Sequence, residues 1–213
     1  MELLRQYVWT LRRFTRVKAA VPDGADPGTM HLPGVGWLVG LLAAVSFALL
    51  SLLLHGGAWV PLTAAVGSTV ATIFFTGAAG EKSFEKLYGT LALFLAILAK
   101  VSLIAVLAGQ SGAGVLAALV AAHTLSRFAA HTMPEPADGR RMLIAAAWCV
   151  LPLLLAMFAR GPIFVALGMA FTAITWWCMK RVLMRHPQPD ADDALGVTQQ
   201  ACEIAFYLGA AIA

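Results

Sequence analysis

The chain has 213 residues, of which 60% are hydrophobic and 12% are charged, and its mean hydropathy is +0.80. Soluble domains carry about 25% charged residues because their surfaces must face water. The composition therefore excludes a disordered chain and an ordinary soluble domain, and it predicts an all-α polytopic membrane helix bundle. The net charge is +4. Since the basic residues lie beside apolar runs, we interpret them as signals of membrane orientation and expect no nucleic-acid partner.

Residues 1–31 are predicted to form an amphipathic N-terminal segment on the membrane surface, and residues 32–213 a transmembrane helical bundle. Apolar residues recur at helical spacing in the first segment, and arginines occupy the opposite side. The apolar set is Leu3, Leu4, Tyr7, Val8, Leu11 and Phe14. A link rich in helix breakers follows, and it contains Pro22, Asp23, Gly24, Asp26, Pro27 and Gly28.

Seven apolar runs predict seven transmembrane helices over residues 32–54, 59–79, 87–108, 113–132, 142–159, 163–179 and 195–213. Basic residues gather in the N-terminal segment and in every second connection, whereas the alternate connections hold only Arg160. Because cytoplasmic segments are enriched in Lys and Arg, this pattern predicts a cytoplasmic N-terminus. Gly36 and Gly40 provide a small-residue face on the first span that suits close helix packing.

Polar residues inside the predicted spans form two stripes. His123, Arg127 and His131 are spaced by four in the fourth span, and Gln200, Glu203 and Tyr207 share one side of the seventh. Ionisable groups at membrane depth face a cavity or a partner, and Lys100 is the cation deep enough to pair with Glu203. A structural ion pair and a cavity-lining site stay open as alternatives. The fourth-span stripe likewise suits either a phosphate-accepting site or side chains that reach backbone and lipid headgroups.

Ten of the eleven acids lie in segments predicted to face the cytoplasm, among them Glu81, Glu135 and Asp193. Such a surface can hold a divalent cation and a phosphorylated substrate, although water-exposed loops are acidic without any such role. Motifs of P-loop enzymes, serine hydrolases and zinc proteases do not occur in the sequence.

Short motifs in a fixed order resemble the cobalamin synthase (adenosylcobinamide-GDP ribazoletransferase) family of integral membrane enzymes. They are FTRV at 14–17, LPGVGWLVG at 32–40, FTGA at 75–78, YGTLAL at 88–93, AHTLSR at 122–127, DALG at 193–196 and EIAFYL at 203–208. The chain departs from the family where an acidic DGxAD segment and a KDSR segment normally join the second and third spans. Here only residues 80–87 make this connection, which is expected to be a loop.

The resemblance implies a transferase in the last steps of cobalamin biosynthesis. In this reaction ribazole phosphate attacks the activated phosphoryl group of adenosylcobinamide-GDP and releases GMP. It further implies Mg²⁺ as cofactor, with Asp193 as its ligand, and the bacterial inner (plasma) membrane with the active face in the cytoplasm. The expected substrate-binding residues are Arg16, His123, Arg127 and Glu203, with the catalytic residue unassigned. The expected partners are the two substrates, the lipid bilayer and a second copy in a homo-oligomer. Two alternatives stay open: a catalytically inactive membrane scaffold of the same fold, and a small solute carrier.

Overall fold

A computed structural model describes residues 2–18, 29–54, 56–133, 138–183, 185 and 190–213. The predicted breaker-rich link at residues 22–28 and the acid Glu135 lie outside the described residues. Within these ranges the chain forms nine α-helices and one short 3-10 helix, and no strand. The helices are α1 (Glu2–Phe14), α2 (Leu32–Leu53), α3 (Val60–Thr76), α4 (Ala79–Tyr88), α5 (Thr90–Gln110), α6 (Gly112–His131), α7 (Gly139–Arg160), α8 (Pro162–Leu183) and α9 (Ala191–Ile212), and the 3-10 helix Thr29–His31 precedes α2. The predicted all-α class is confirmed.

Five of the described helices, α2, α5, α6, α7 and α8, are long and apolar enough to cross a membrane. Helices α3 and α4 meet this test together, but a bend of 94° separates them, so the pair forms either a broken span or a re-entrant loop. Helix α9 is not among the five, and it carries the polar residues Gln199, Gln200 and Glu203. The multi-pass membrane architecture is confirmed, whereas the count of seven crossings and the side of the N-terminus stay predictions.

Helix α6 lies at the centre of the bundle, where it contacts α2, α5, α7, α8 and α9. Its contact with α2 is close because glycines of α2 face the α6 backbone. A Cβ atom at Gly36 would lie 2.4 Å from the His123 carbonyl oxygen, and one at Gly40 would lie 2.7 Å from the Val120 Cα atom. The small-residue face predicted for the first span therefore has a structural role, and it places α2 directly behind His123.

The amphipathic helix α1 ends at Phe14 and packs against α2 and the 3-10 helix. The Tyr7 ring stacks on the Trp148 ring with centroids 5.6 Å apart, and the Tyr7 hydroxyl donates to the Gly34 carbonyl oxygen at 3.4 Å. Burial raises the pKa of the Tyr7 phenol, which keeps it protonated as a donor. Leu3 and Leu4 stay exposed, so the residues at the start of the predicted apolar face do not pack into the bundle.

The expectation of a loop at residues 80–87 is wrong. This segment forms the helix α4, which turns back from the end of α3 and packs against α9. The turn uses left-handed backbone at Gly77 (φ 69°) and at Ala78 (φ 58°). The pattern of the helix is amphipathic: Glu81 and Ser83 are buried, whereas Lys82, Glu85 and Lys86 are exposed. At ten residues it is too short to be found by a search for membrane-length apolar runs.

Candidate functional site

Four polar side chains from α5, α6 and α9 meet in the middle of the bundle. Lys100 Nζ lies 2.7 Å from Glu203 Oε1, and the Tyr207 hydroxyl donates to the same oxygen at 3.2 Å. His123 Nδ1 lies 3.3 Å from Glu203 Oε2, which has no hydrogen-bond partner, so this is a contact between opposite charges only when the imidazole is protonated. All four side chains are buried. The predicted pairing of Lys100 with Glu203 is confirmed, and we call these four residues the central cluster.

Arg127 lies one helical turn from His123, on the side of the bundle where α1 and α4 are found. Its NH1 donates to the His123 carbonyl oxygen at 3.0 Å and lies 3.3 Å from His123 Nδ1. The residue is only 2% exposed, and its Nε has no hydrogen-bond partner. Among the described residues Arg127 makes no salt bridge. A buried guanidinium with a free N–H donor is a strong attractor for a phosphate or carboxylate oxygen.

A second buried carboxylate comes from α4. Glu81 Oε1 accepts a hydrogen bond from Gln200 Nε2 at 2.8 Å, and Glu81 Oε2 has no partner. The close approach of α4 to α9 depends on two glycines, since a Cβ atom at Gly80 would lie 2.9 Å from Gln200 Nε2 and one at Gly196 would lie 2.7 Å from Ser83 Oγ.

These groups form a polar column that runs from one end of the bundle to its middle. His123 is eight residues from the end of α6, which is about 12 Å at 1.5 Å per residue. Glu81, Gln200 and Arg127 lie between this depth and the surface. We call the outer end of the column the basic end, because α1, α4 and the starts of α7 and α9 lie there with most of the Lys and Arg residues.

At the basic end the charged groups pair with one another. Lys86 Nζ bridges Asp193 and Asp190, with 3.2 Å to Asp190 Oδ2. Arg13 NH2 lies 2.7 Å from Asp192 Oδ1. All three acids at the start of α9 therefore face cations. The Arg16 guanidinium lies over the Phe74 ring, 4.6 Å from its centroid, and the Arg16 amide donates to the Phe75 carbonyl oxygen at 2.9 Å.

The described residues do not present a metal-binding group. No three His, Cys, Asp or Glu side chains in the described ranges gather in a way that could hold a metal ion. Asp193, the expected Mg²⁺ ligand, pairs with Lys86 instead. Its role as a metal ligand, and Mg²⁺ itself, stay predictions that rest on the family resemblance.

Of the five predicted site residues, the structure brings His123, Arg127 and Glu203 together and leaves Arg16 and Asp193 at the surface of the basic end. His131, the third residue of the predicted stripe, contacts Thr29 Oγ1 through Nδ1 at 3.0 Å rather than joining the column. Glu81 was predicted only as one of the acids of the cytoplasmic face, and the sequence did not place it in this column. Glu81 is buried because α4 packs against α9, a tertiary contact that the local sequence pattern does not predict.

The other half of the bundle is apolar. Above the central cluster the core consists of residues such as Phe47, Ile104, Leu107, Leu119 and Ala210. The polar column is therefore closed at its inner end, and the arrangement suits binding of an anionic group that enters from the basic end.

Curated relatives match the chain over nearly its whole length. The adenosylcobinamide-GDP ribazoletransferase of Polaromonas naphthalenivorans (strain CJ2) is 32% identical, with 100% of this chain and 99% of the relative covered. The chain belongs to the adenosylcobinamide-GDP ribazoletransferase family. Proteins of the same name from Albidiferax ferrireducens and Polaromonas sp. (strain JS666) are each 29% identical, and 99% of this chain is covered in both cases. No family model matches, and no solved structure matches.

The alignment also shows that this chain is shorter than its ribazoletransferase relative. It spans 275 positions with the Polaromonas naphthalenivorans protein, so at least 62 of them have no counterpart among the 213 residues of this chain. Because both chains are covered almost end to end, these positions are internal.

Proposed function

We propose that this chain is an integral membrane transferase that joins adenosylcobinamide-GDP to ribazole or its 5′-phosphate and releases GMP, in the last steps of cobalamin biosynthesis. Relatives with this name at 29–32% identity support the proposal, as do five membrane-length apolar helices. The structural observation that carries it is Arg127, a buried cation with an unpartnered donor at the inner part of a polar column.

The reaction is a phosphoryl transfer. A hydroxyl oxygen of ribazole forms a bond to the phosphorus atom attached to the cobinamide, while the bond between that phosphorus and the oxygen leading to GMP breaks. The hydroxyl proton is released to water. Negative charge develops on the phosphoryl oxygens and on the leaving GMP oxygen, and positioned cations stabilise it. In our proposal Arg127 binds a phosphate group of the nucleotide through Nε. The His123 carbonyl oxygen holds Arg127 in place, and Glu203 holds Lys100 in place.

The basic end is the proposed entrance for both substrates, which carry phosphate groups. Arg13, Arg16 and Lys86 give this surface a positive potential that attracts anions. Arg16 is exposed and lies beside the turn between α3 and α4, where a phosphate that enters the column passes it. We place this face in the cytoplasm and the protein in the bacterial inner membrane, because basic segments of membrane proteins stay on the cytoplasmic side.

A catalytically inactive scaffold is the second candidate, and one observation favours it. At least 62 positions of a relative have no counterpart here, and residues 80–87 do not contain the DGxAD segment that the family resemblance leads one to expect. The solute-carrier alternative has less support, because the polar column does not continue through the apolar half of the bundle.

The test is in-vitro conversion of adenosylcobinamide-GDP and ribazole phosphate in lipid nanodiscs with Mg²⁺, with GMP and cobalamin phosphate measured by mass spectrometry. A second protein carries an acidic segment of the DGxAD type between α3 and α5. Product from the chain as it stands is the expected result. Product from the extended protein alone would overturn the proposal and favour an inactive relative, and product from neither would favour a scaffold.

A further inference from the structure

A cavity of about 330 Å³ lies between α6, α7 and α8, on the side of α6 that faces away from the polar column. Its α6 wall consists of Leu125, Phe128, Ala129 and Thr132, which share one helix face because they recur every three or four residues. Arg127 lies on the opposite face, since two residues rotate an α-helix by about 200°. The cavity is therefore separate from the candidate site.

The cavity lies next to the basic end and opens towards the side of the bundle. Helix α7 contributes Met142, in its first turn, and α8 contributes residues from Met169 to Trp176. Met169 is 42% exposed and Ala173 is also exposed, so the space between α7 and α8 reaches the outer surface. Because α6, α7 and α8 all have membrane length and apolar composition, this opening faces the acyl chains of the bilayer.

Among the described residues that line the cavity, one polar side-chain atom lacks a partner. The Thr132 hydroxyl donates to the Ala129 carbonyl oxygen at 2.7 Å, and the Thr172 hydroxyl donates to the Gly168 carbonyl oxygen at 2.8 Å. The indole Nε1 of Trp176 is buried without a hydrogen-bond partner. A buried indole N–H normally donates to an acceptor. The walls thus suit an apolar chain that carries an acceptor, such as an ester carbonyl group.

Basic residues lie where the cavity meets the basic end. Arg140 and Arg141 are in the first turn of α7, and Lys180 and Arg181 are in the last turn of α8, whereas neither helix contains an acidic residue. Lys180 Nζ lies 5.3 Å from the centroid of the Trp176 ring, and within the described ranges it forms no salt bridge. A cation therefore lies directly beside the residue that carries the unpartnered N–H group.

We propose that this cavity binds one acyl chain of an anionic phospholipid, with the lipid phosphate against Lys180 and the arginines at the start of α7. Basic pockets between transmembrane helices select anionic headgroups by charge complementarity. Trp176 Nε1 donates to an ester carbonyl oxygen, at the level between chain and headgroup where tryptophan is enriched. The site goes beyond the proposed function and does not depend on it, because it requires only a bilayer lipid.

Lipid binding to the full chain tests the headgroup preference. Phosphatidylglycerol and phosphatidylcholine with identical chains are titrated into the protein in detergent, and bound lipid is counted by native mass spectrometry. We expect one phosphatidylglycerol to bind roughly 10-fold more tightly than phosphatidylcholine, and Arg140→Gln combined with Lys180→Gln to remove this preference. Arg5→Gln combined with Lys82→Gln removes two exposed cations elsewhere and is the matched control, with unchanged affinity expected.

A second set of variants tests the cavity itself. Ala173→Phe places a ring in the cavity and is expected to lose most of the phosphatidylglycerol binding, whereas Ala170→Phe, on the exposed surface of the same helix, is expected to keep it. Trp176→Phe keeps an aromatic ring without the N–H donor, and we expect about 3-fold weaker binding. Thermal unfolding in lipid-free detergent checks that each variant is folded.

Three results would overturn the proposal. They are equal affinity for the two lipids, an unchanged preference in the Arg140→Gln and Lys180→Gln variant, and unchanged binding in folded Ala173→Phe. A fourth contrary result is a dimer of the natural chain that Ala173→Phe converts to a monomer, because a second copy of the chain would then occupy the cavity.

Discussion

Helices α6 and α5 differ in what surrounds them, and this difference decides where the chemistry lies. The apolar stretch of α5 has a mean hydropathy of 2.6 and is 22% buried, whereas that of α6 has a mean hydropathy of 1.4 and is 78% buried. Helix α5 faces outward with residues such as Leu91, Phe94 and Leu98, and α6 is enclosed by its neighbours. The least apolar of the five candidate spans is thus the one most shielded from lipid.

The physical reason is the cost of exposing charge to hydrocarbon. Polar groups in spans face the bundle interior or a partner, because lipid offers them no hydrogen bonds. Helix α6 can carry His123 and Arg127 because glycines of α2 allow close packing on one side and α9 supplies Glu203 on the other. Helix α5 contributes Lys100 alone to the column, on its buried face.

The largest effect is expected from separating the central ion pair. Lys100→Met leaves Glu203 as a buried charge without its close cation, and we expect a loss of about 3–5 kcal/mol in the free energy of unfolding. The measurement is denaturant unfolding in mixed micelles. Lys100→Met combined with Glu203→Gln is expected to recover most of this loss, and Lys82→Met on the exposed face of α4 to change little. A loss below about 1 kcal/mol for Lys100→Met would show that the pair is hydrated rather than buried.

Truncating a leucine compares the two helices directly. Leu119 of α6 is 1% exposed and Leu95 of α5 is 54% exposed. Leu119→Ala opens a cavity in the bundle, so we expect a destabilisation of about 2–3 kcal/mol, whereas Leu95→Ala is expected to stay within about 0.5 kcal/mol. Thermal unfolding of both variants in one detergent provides the comparison. Equal losses would mean that α5 is covered by another surface, such as a second copy of the chain.

Glycine substitutions test the packing that shields α6. The Cβ atom of Gly36→Ala would meet the His123 carbonyl oxygen, so we expect a loss of about 1–3 kcal/mol. Gly109→Ala in α5 meets no atom within 4 Å, and alanine favours helix. The second variant is expected to be neutral or slightly more stable in the same unfolding assay. A tolerated Gly36→Ala would contradict the close contact between α2 and α6.

Much of the bundle follows from the sequence because membrane-length apolar runs are strong signals. The predicted spans at 32–54 and 113–132 agree within a residue or two with α2 (Leu32–Leu53) and α6 (Gly112–His131). Gly and Pro residues mark the ends, since they break helices or permit tight turns. The pairing of Lys100 with Glu203 was also predictable, because two opposite charges at similar depth have few other partners.

The basic end was harder to predict because tertiary contacts decide it. Helix α4 depends on left-handed backbone at Gly77 and Ala78, and Glu81 is buried only because Gly80 and Gly196 let α4 approach α9. Asp193 was predicted to be a metal ligand because it is an acid in a family motif. The sequence does not show that Lys86 forms a salt bridge with it. Charged side chains at the surface pair with the groups that the fold brings close to them, and spacing along the chain does not reveal which groups these are.

The most direct test of the proposed site is the release of GMP from adenosylcobinamide-GDP in the presence of ribazole phosphate. We expect Arg127→Gln to lower the rate of GMP release by roughly 10²–10³-fold, as is typical when a group that stabilises developing charge is removed. Arg160→Gln, at the opposite end of the bundle, is expected to retain the natural rate. Equal rates for Arg127→Gln and the natural chain, with both proteins folded, would contradict the assignment of ribazole transfer to the polar column.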